Sequence, residues 1–294
     1  MKVVKLKGGL GNQLFQYAFA KLLEQLSQDE VKIDASYFNG TGDDKIRKPR
    51  LYRYNISLLT ANEFDIARVC KFVHKGNPLT LKYKLGIVSE ILFNSKYYFE
   101  KSREYREVEK ILNYSFFDGY WQSWEYVNKV WNLLITDLSI QDRLNAKTIQ
   151  MIDQVKSEES VFIGIRKGDY TGNIKHFGSF SQDYYDRAMT YISARVENPV
   201  FYIFSNDITW VKQNMNFPKS NVFYREDFDV IDDFEELQIM ANCKHSIIAN
   251  STYHWWGARI NDNDKKIVIA PRTWFFDNKP IDIISPRWVT IENL

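Results

Sequence analysis

The 294-residue sequence is short of cysteine, of net charge and of long apolar runs. Its two cysteines, Cys70 and Cys243, stand far apart in the chain. They supply neither a disulfide framework nor the paired spacing of a zinc site, and a reducing compartment suits them. Lys and Arg number 39 against 37 Asp and Glu, so the formal charge of +2 creates no field that would draw in a nucleic-acid backbone. The local cluster Lys45, Arg47, Lys48, Arg50 and Arg53 lies in a loop-like stretch and reads as solvated surface. No segment approaches the ~18 uninterrupted apolar residues of a membrane span. The opening Met1, Lys2, Val3, Val4, Lys5, Leu6, Lys7 lacks the roughly 7 to 15 apolar residues of a secretory signal. Repeats and low-complexity tracts are missing as well. The expectation is a cytoplasmic protein with no nucleic-acid partner.

What is present is enough to fold. Apolar residues make up 45% of the chain and aromatics 16%, spread along its length, which argues for a globular protein. The length exceeds one ordinary core of ~150 residues and predicts two domains. Residues 2–6 read as a short buried strand, and Gly8, Gly9 and Gly11 call for a tight turn after it. From Leu14, the residues Phe15, Ala18, Phe19, Leu22 and Leu26 recur at helical spacing, and 31–33 reads as a second strand. Such a βαβ opening predicts a parallel α/β sheet. Residues 60–113, rich in Lys, Glu and Tyr and poor in glycine, read as helices decorating it. A second series begins near Ser160, with strands expected at 161–165, 200–204, 246–249 and 267–269. The predicted fold is α/β with two Rossmann-like domains, 1–150 and 151–294, divided where the second series begins.

In open α/β sheets ligands sit beyond the carboxyl ends of the strands, which directs attention to four turns. The first, GGLGNQ at 8–13, brings backbone N–H groups and the amides of Asn12 and Gln13 to a helix N-terminus suited to an anion. A dinucleotide fingerprint read from Gly9 would need glycine where Leu14 stands, although Asp34 ends the second strand as a ribose-binding acid would. In the second turn, Arg166, Lys167, Gly168, Asp169 and Tyr170 follow an apolar strand; an arginine fork there holds two phosphate oxygens, with Asp169 to orient it. The alternative is a surface turn with an Arg-Asp pair. In the third turn, Ser205, Asn206 and Asp207 either cap the next helix or contact a ribose. The fourth runs from Asn250 through Ser251, Thr252, Tyr253, His254, Trp255 and Trp256 to Gly257 and opens a helix whose N–H groups would point at a diphosphate. The two tryptophans suit core packing better than ligand contact. Asp227, Phe228, Asp229 and Asp262, Asn263, Asp264 match the DxD pattern of metal-dependent sugar transfer, but neither directly ends a strongly apolar strand, and solvated loops are preferred.

Taken together, GGLGNQLFQYAFA at 8–20, GYWQS at 119–123, IGIRKGDY at 163–170, FYIFSND at 201–207 and CKHSIIANSTYHWWGA at 243–258 resemble the α1,2-fucosyltransferases of glycosyltransferase family 11. The resemblance implies a GT-B arrangement of two Rossmann-like domains facing across a cleft. It implies inverting, metal-independent transfer of L-fucose from GDP-β-L-fucose to the 2-hydroxyl of a galactose-ended glycan, as in O-antigen synthesis, with no cofactor. A lipid-linked acceptor would bring the protein to the inner face of a membrane. Arg166 matches the arginine that grips the donor diphosphate. Ser251 and Thr252 match the phosphate turn, Asn12 the glycine-loop asparagine facing the donor, and Glu236 an aspartate that reads guanine. Lys167, Asp169, Ser205, Asp207 and Asn250 complete the expected donor side; Gln13, Tyr120, Trp121 and Gln122 form the acceptor side. Asp169 and His254 are the candidate bases. Gly164 and Lys167 stand where the family carries histidine and a second arginine, and His254 is a local substitute for the lost polar contact. Two alternatives are a related donor such as GDP-colitose and a nucleotide-sugar-binding protein without catalysis.

Overall fold

The computed structural model describes residues 1–39, 49–72, 80–167, 181–218, 222–224, 232–277 and 279–293. These form two compact units, Met1–Asp142 with Pro280–Ile283, and Arg143–Lys279 with Ile284–Leu294. The chain returns to the first unit at 280–283, where the Tyr105 N–H donates to the Asp282 carboxylate at 2.7 Å and the Trp124 N–H to the Asp282 carbonyl at 3.2 Å.

The first unit runs β1 (Lys2–Lys5), α1 (Leu10–Leu26), β2 (Val31–Asp34), β3 (Leu59–Thr60), α2 (Glu63–Val69), α3 (Leu81–Phe93), β4 (Tyr97–Phe99), β5 (Phe116–Asp118), α4 (Trp124–Lys129) and α5 (Trp131–Asp137). Its five strands lie in the order β3-β2-β1-β5-β4, and every pair is parallel. A parallel sheet needs both faces covered. Accordingly Val3, Val4, Phe116 and Phe117 are fully buried, and α1 supplies Leu14, Phe15, Ala18 and Phe19 against them. Two expectations need correction. The 60–113 segment holds α2 and α3 but also β4, whose Tyr-Tyr-Phe sequence suits a strand and is too short to show a period of its own. Helix α1 begins at Leu10 with Gly9 as N-cap, so Asn12 and Gln13 belong to its first turn rather than to a loop before it.

The second unit runs α6 (Ala146–Ser157), β6 (Ser160–Ile165), α7 (Gln182–Ser193), β7 (Val200–Ser205), α8 (Ile208–Asn214), β8 (Val222–Tyr224), α9 (Asp233–Asn242), β9 (His245–Ile247), α10 (Thr252–Ile260), β10 (Val268–Pro271) and β11 (Val289–Ile291). Its strand order is β11-β10-β9-β6-β7-β8, again wholly parallel. All six residues of β6 are buried, as befits the strand between β9 and β7. Helix α6 belongs here because its cap is tied to α9: the Asn145 N–H donates to Glu235 Oε1 at 2.8 Å. That bond explains why the second unit starts before position 150.

Candidate functional site

The turns leaving β6, β7 and β9 are neighbours along one edge of the second sheet. The Lys167 N–H donates to Asn206 Oδ1 at 3.0 Å, and its ammonium lies 3.6 Å from Asp207 Oδ2 and 4.2 Å from the centre of the Trp210 ring. Asp207 Oδ1 caps α8 by accepting the Trp210 N–H at 3.0 Å. Ser205 Oγ accepts the Asp207 N–H at 3.1 Å. Ser205 and Asp207 therefore shape the turn that holds the Lys167 ammonium beside Arg166.

Helix α10, like α7 with Ser181 at its N-cap, opens without a side-chain cap, and unlike α7 it has no acid in its first turn. Asn145, Asp207 and Asp232 all cap their helices with a side-chain acceptor. Ser251 occupies the N-cap of α10 but makes no such bond, and the first turn carries no acidic residue. The N-cap side chain and the first turn of α10 thus supply no acid to the positive end of the helix dipole. Asn250 is buried beside it, its amide donating to the Trp274 carbonyl at 2.9 Å. Glu236 is buried on α9, whose Asp233 carbonyl accepts the Tyr253 hydroxyl of α10.

His254, in the first turn of α10, fixes this helix against β6. A Cβ at Gly164 would lie 2.3 Å from its Nδ1 and 2.4 Å from its Cγ, so the imidazole fills the place a side chain at 164 would take. Glycine there is a packing requirement. Burial, aided by the Arg166 charge, pushes the His254 pKa down to about 3, and Nδ1 has no hydrogen-bond partner among the described residues. Low basicity and 4% exposure weigh against the general-base role expected of this imidazole. Asp169, the other candidate base, lies outside the described residues, as does 227–229. Asp262 and Asp264 are described, and among the described residues no group of three or more His, Cys, Asp or Glu converges as a metal site would require.

In the first unit the ends of β1, β4 and β5 converge on Asp118. Its carboxylate takes the Lys5 ammonium at 3.1 Å, the Lys7 ammonium, and the Tyr97 hydroxyl at 2.6 Å. Burial alone would raise this carboxyl, but the Lys5 and Lys7 charges overcome it and hold the group well below the usual carboxylate range. Asp34 is fully buried and accepts the Ser36 N–H at 2.8 Å, so it is not displayed to a ribose.

The GYWQS turn follows β5. Trp121 adopts φ 55°, uncommon for a bulky residue. It is held there by stacking on Phe19 at a ring separation of 3.7 Å and by the Glu100 carboxylate, which accepts the Trp121 N–H at 3.0 Å and the Tyr120 N–H at 2.6 Å. Burial raises the Glu100 pKa to about 7, with the two N–H groups and Lys7 opposing. Gln122 Nε2 donates to Asn12 Oδ1 at 2.9 Å, joining this turn to the start of α1. Gly8 makes the approach: its φ is +79°, and a Cβ would lie 2.5 Å from Asn12 Nδ2.

Two acceptor-side expectations are corrected here. Gln13 is fully buried, donating to the Gly8 carbonyl at 3.0 Å and accepting the Arg50 N–H at 2.9 Å. Trp121 is 1% exposed. Both support the turns instead of presenting themselves to a ligand. Tyr120, 43% exposed with the Lys7 ammonium 4.6 Å from its ring centre, and Gln122, half-buried, remain accessible. The sequence pattern does not single out Glu100, although an acid directly after an aromatic strand is a signal for it, because residues 60–113 read as helical.

A family model described as Glycosyl transferase family 11 matches residues 87–292. An O-antigen biosynthesis glycosyltransferase of Escherichia coli, WbnK, is 30% identical over 97% of this chain and 99% of its own length. An alpha-1,2-colitosyltransferase of Escherichia coli is likewise 30% identical, over 99% of this chain and 98% of its own. Galactoside alpha-(1,2)-fucosyltransferase 1 of Saimiri sciureus is 25% identical over 59% of this chain and 51% of its own. With a family match over more than two thirds of its length, carrying the strand-end turns of the second sheet, this chain belongs to glycosyltransferase family 11.

Proposed function

We propose that this glycosyltransferase moves L-fucose from GDP-β-L-fucose to the 2-hydroxyl of a galactose-containing glycan, with inversion, without a metal or cofactor, in the cytoplasmic stage of surface-polysaccharide synthesis. The observation that carries the reading is the junction of β6 and α10: His254 packed on Gly164 brings an α10 start without a side-chain cap next to the turn of Arg166 and Lys167. Two cationic side chains and a helix N-terminus on one sheet edge suit a diphosphate. Asn250, Ser251 and Thr252 line that start, and Glu236 lies on the helix packed beside it. In transfer, the acceptor oxygen bonds to the anomeric carbon as the bond from that carbon to the β-phosphate oxygen breaks. GDP leaves with the electron pair, and the hydroxyl proton passes to solvent or a weak base. Arg166, Lys167 and the α10 amides take up the charge growing on the diphosphate. Tyr120 and Gln122, steadied by Glu100 and Asn12, suit the acceptor side.

A second reading has a specific support. The relative named for colitose transfer aligns along almost the whole chain, whereas the fucosyltransferase of Saimiri sciureus aligns along little more than half. Colitose is fucose without its 3-hydroxyl, so the donors differ by one hydrogen-bonding group. A site built to bond that hydroxyl discriminates strongly against the deoxy sugar.

The experiment is GDP release from GDP-fucose and GDP-colitose, each with a panel of β-galactosides in excess chelator, with product linkage read by NMR. Acceptor-dependent release and an α1,2 linkage are expected, and the ratio of kcat/KM values names the donor. Release that stops in chelator would refute metal independence. GDP binding without release from either donor would refute transfer in favour of a binding protein.

A further inference from the structure

Helix α3 is apolar on the side it shows to solvent. Its inner side is well anchored: Glu90 is fully buried and accepts from the Cys70 thiol at 3.2 Å, the Asn94 amide at 2.7 Å and the Phe72 N–H. Tyr83 and Ile87 pack on the core of the first unit. The outer side carries Leu81 (71% exposed), Leu85 (58%), Val88 (50%), Leu92 (66%) and Phe93 (71%). Spacings of four, three and four from Leu81 to Leu92 make this one continuous stripe. Scattered surface leucines need no explanation, but a contiguous stripe marks an interaction surface.

The charges around the stripe identify its partner. Between Lys71 and Phe99 the only acidic residue is Glu90, which is fully buried. Lys71, Lys82, Lys84 and Lys96 are exposed, and none makes an ion pair among the described residues. Exposed apolar residues flanked by uncompensated lysines match the apolar and anionic layers of a bilayer interface. A second copy of the chain suits this face less well, because an isologous contact would set lysines against lysines. No helix among the described residues is long and apolar enough to cross a membrane, so the contact would be interfacial.

We infer that the outer face of α3 docks the protein on an anionic phospholipid surface, Leu85 and Leu92 entering the interface and Lys82 and Lys84 meeting the headgroups. This goes beyond the transfer reading: a lipid-carried glycan would be met at that surface, but the docking itself does not depend on which sugar is moved. The inner face of the same helix places Tyr83 4.9 Å from the Lys5 ammonium, within the strand-end cluster of the first unit. One helix thickness, about 10 Å, thus separates the docking face from that cluster.

The test is flotation of the full chain with vesicles of phosphatidylcholine alone and with added phosphatidylglycerol, at low and high salt. Binding to the anionic vesicles that weakens with salt is expected. Leu85→Ser with Leu92→Ser should lower it, and Lys82→Glu with Lys84→Glu should lower it more than about tenfold. Because these side chains are exposed, both variants should keep the wild-type thermal melt. Equal binding by wild type and both variants, or none by wild type, would overturn the inference. So would self-association in analytical ultracentrifugation that the leucine variant abolishes, since a second copy would then be the occupant. Turnover with a water-soluble galactoside and the proposed donor is measured alongside. Its failure would count against the transfer reading while leaving vesicle binding to be judged on its own.

Discussion

The two parallel sheets end in opposite ways. At the strand ends of the first unit, Asp118 takes two ammonium groups and a hydroxyl, all within the protein, and the cluster is buried. At the strand ends of the second, the turn that carries Arg166 and Lys167 adjoins a helix whose N-cap supplies no acceptor. The first sheet neutralises its charges internally, which makes its end a rigid support for the Tyr120 turn. The second carries Arg166 and Lys167, the latter 3.6 Å from Asp207, on the edge proposed to meet the donor diphosphate. On the proposed reading the first end supports a turn and the second meets the donor, because a fully buried charge must be paired within the protein whereas a transferase directs charge at its substrate.

The strongest way to break this comparison is Asp118→Ala, which strands the Lys5 ammonium, 2% exposed, without its counter-ion. A stability loss of about 3 to 5 kcal/mol is expected in urea unfolding. The sign with pH follows from the lowered pKa: the stabilisation is full above the carboxyl's unfolded value of 3.8 and is lost as acid drives it towards its lower folded value. A wild-type protein whose urea midpoint fell sharply between pH 7 and 5 on account of Asp118 would contradict this.

Arg166→Ala probes the receptive edge. Its removal should lower kcat by roughly 10² to 10³, as for other donors that meet developing charge, with little change in the urea midpoint. Near wild-type turnover would deny this arginine its role on the diphosphate.

Gly164→Ala tests the junction of β6 and α10 within the second unit. The added methyl would sit 2.3 Å from His254 Nδ1, so the ring must move. A loss of about 1 to 3 kcal/mol is expected, partly restored when His254→Ala is added, with a coupling energy above about 0.5 kcal/mol. Strict additivity of the two changes would show that the imidazole does not depend on the bare glycine.

The smallest effect concerns Glu100, whose ionised form holds the strained turn. Its pKa of about 7 means that protonation at lower pH removes one of its two acceptor oxygens. Acceptor KM should therefore rise a few-fold as pH falls through about 7, with kcat changing less, while Glu100→Gln gives a raised KM that no longer titrates there. A titrating KM in Glu100→Gln would assign the effect to another group.

Much of the second sheet was legible in advance. β6 and β7 each hold a five-residue apolar run, 161–165 and 200–204, closed by polar residues, and a strand buried on both faces reads as such a run. β4 and β5 have three residues each, below the length at which periodicity can be counted, and they escaped notice together with Glu100. The site divides similarly. The placement of Arg166 and Lys167 after β6, of Asn12 in the first turn of α1 and of Ser251 at the start of α10 was visible because each follows a strand or starts a helix. The burial of Gln13 and Trp121 was not, because it depends on Arg50 and Phe19, which adjacency in the chain does not reveal.

Family, parallel α/β class and the order of the strand-end turns were determined by the sequence alone, since each is written in contiguous residues and local backbone requirements. The tertiary structure alone decided that His254 fills the space at Gly164 in a setting that lowers its basicity, that Glu100 clamps the Tyr120 turn, and that Leu81, Leu85, Val88 and Leu92 of α3 are exposed. Those outcomes depend on which distant groups share a buried volume. Packing and desolvation act through space, where residues 90 positions apart in the chain, such as Gly164 and His254, are immediate neighbours.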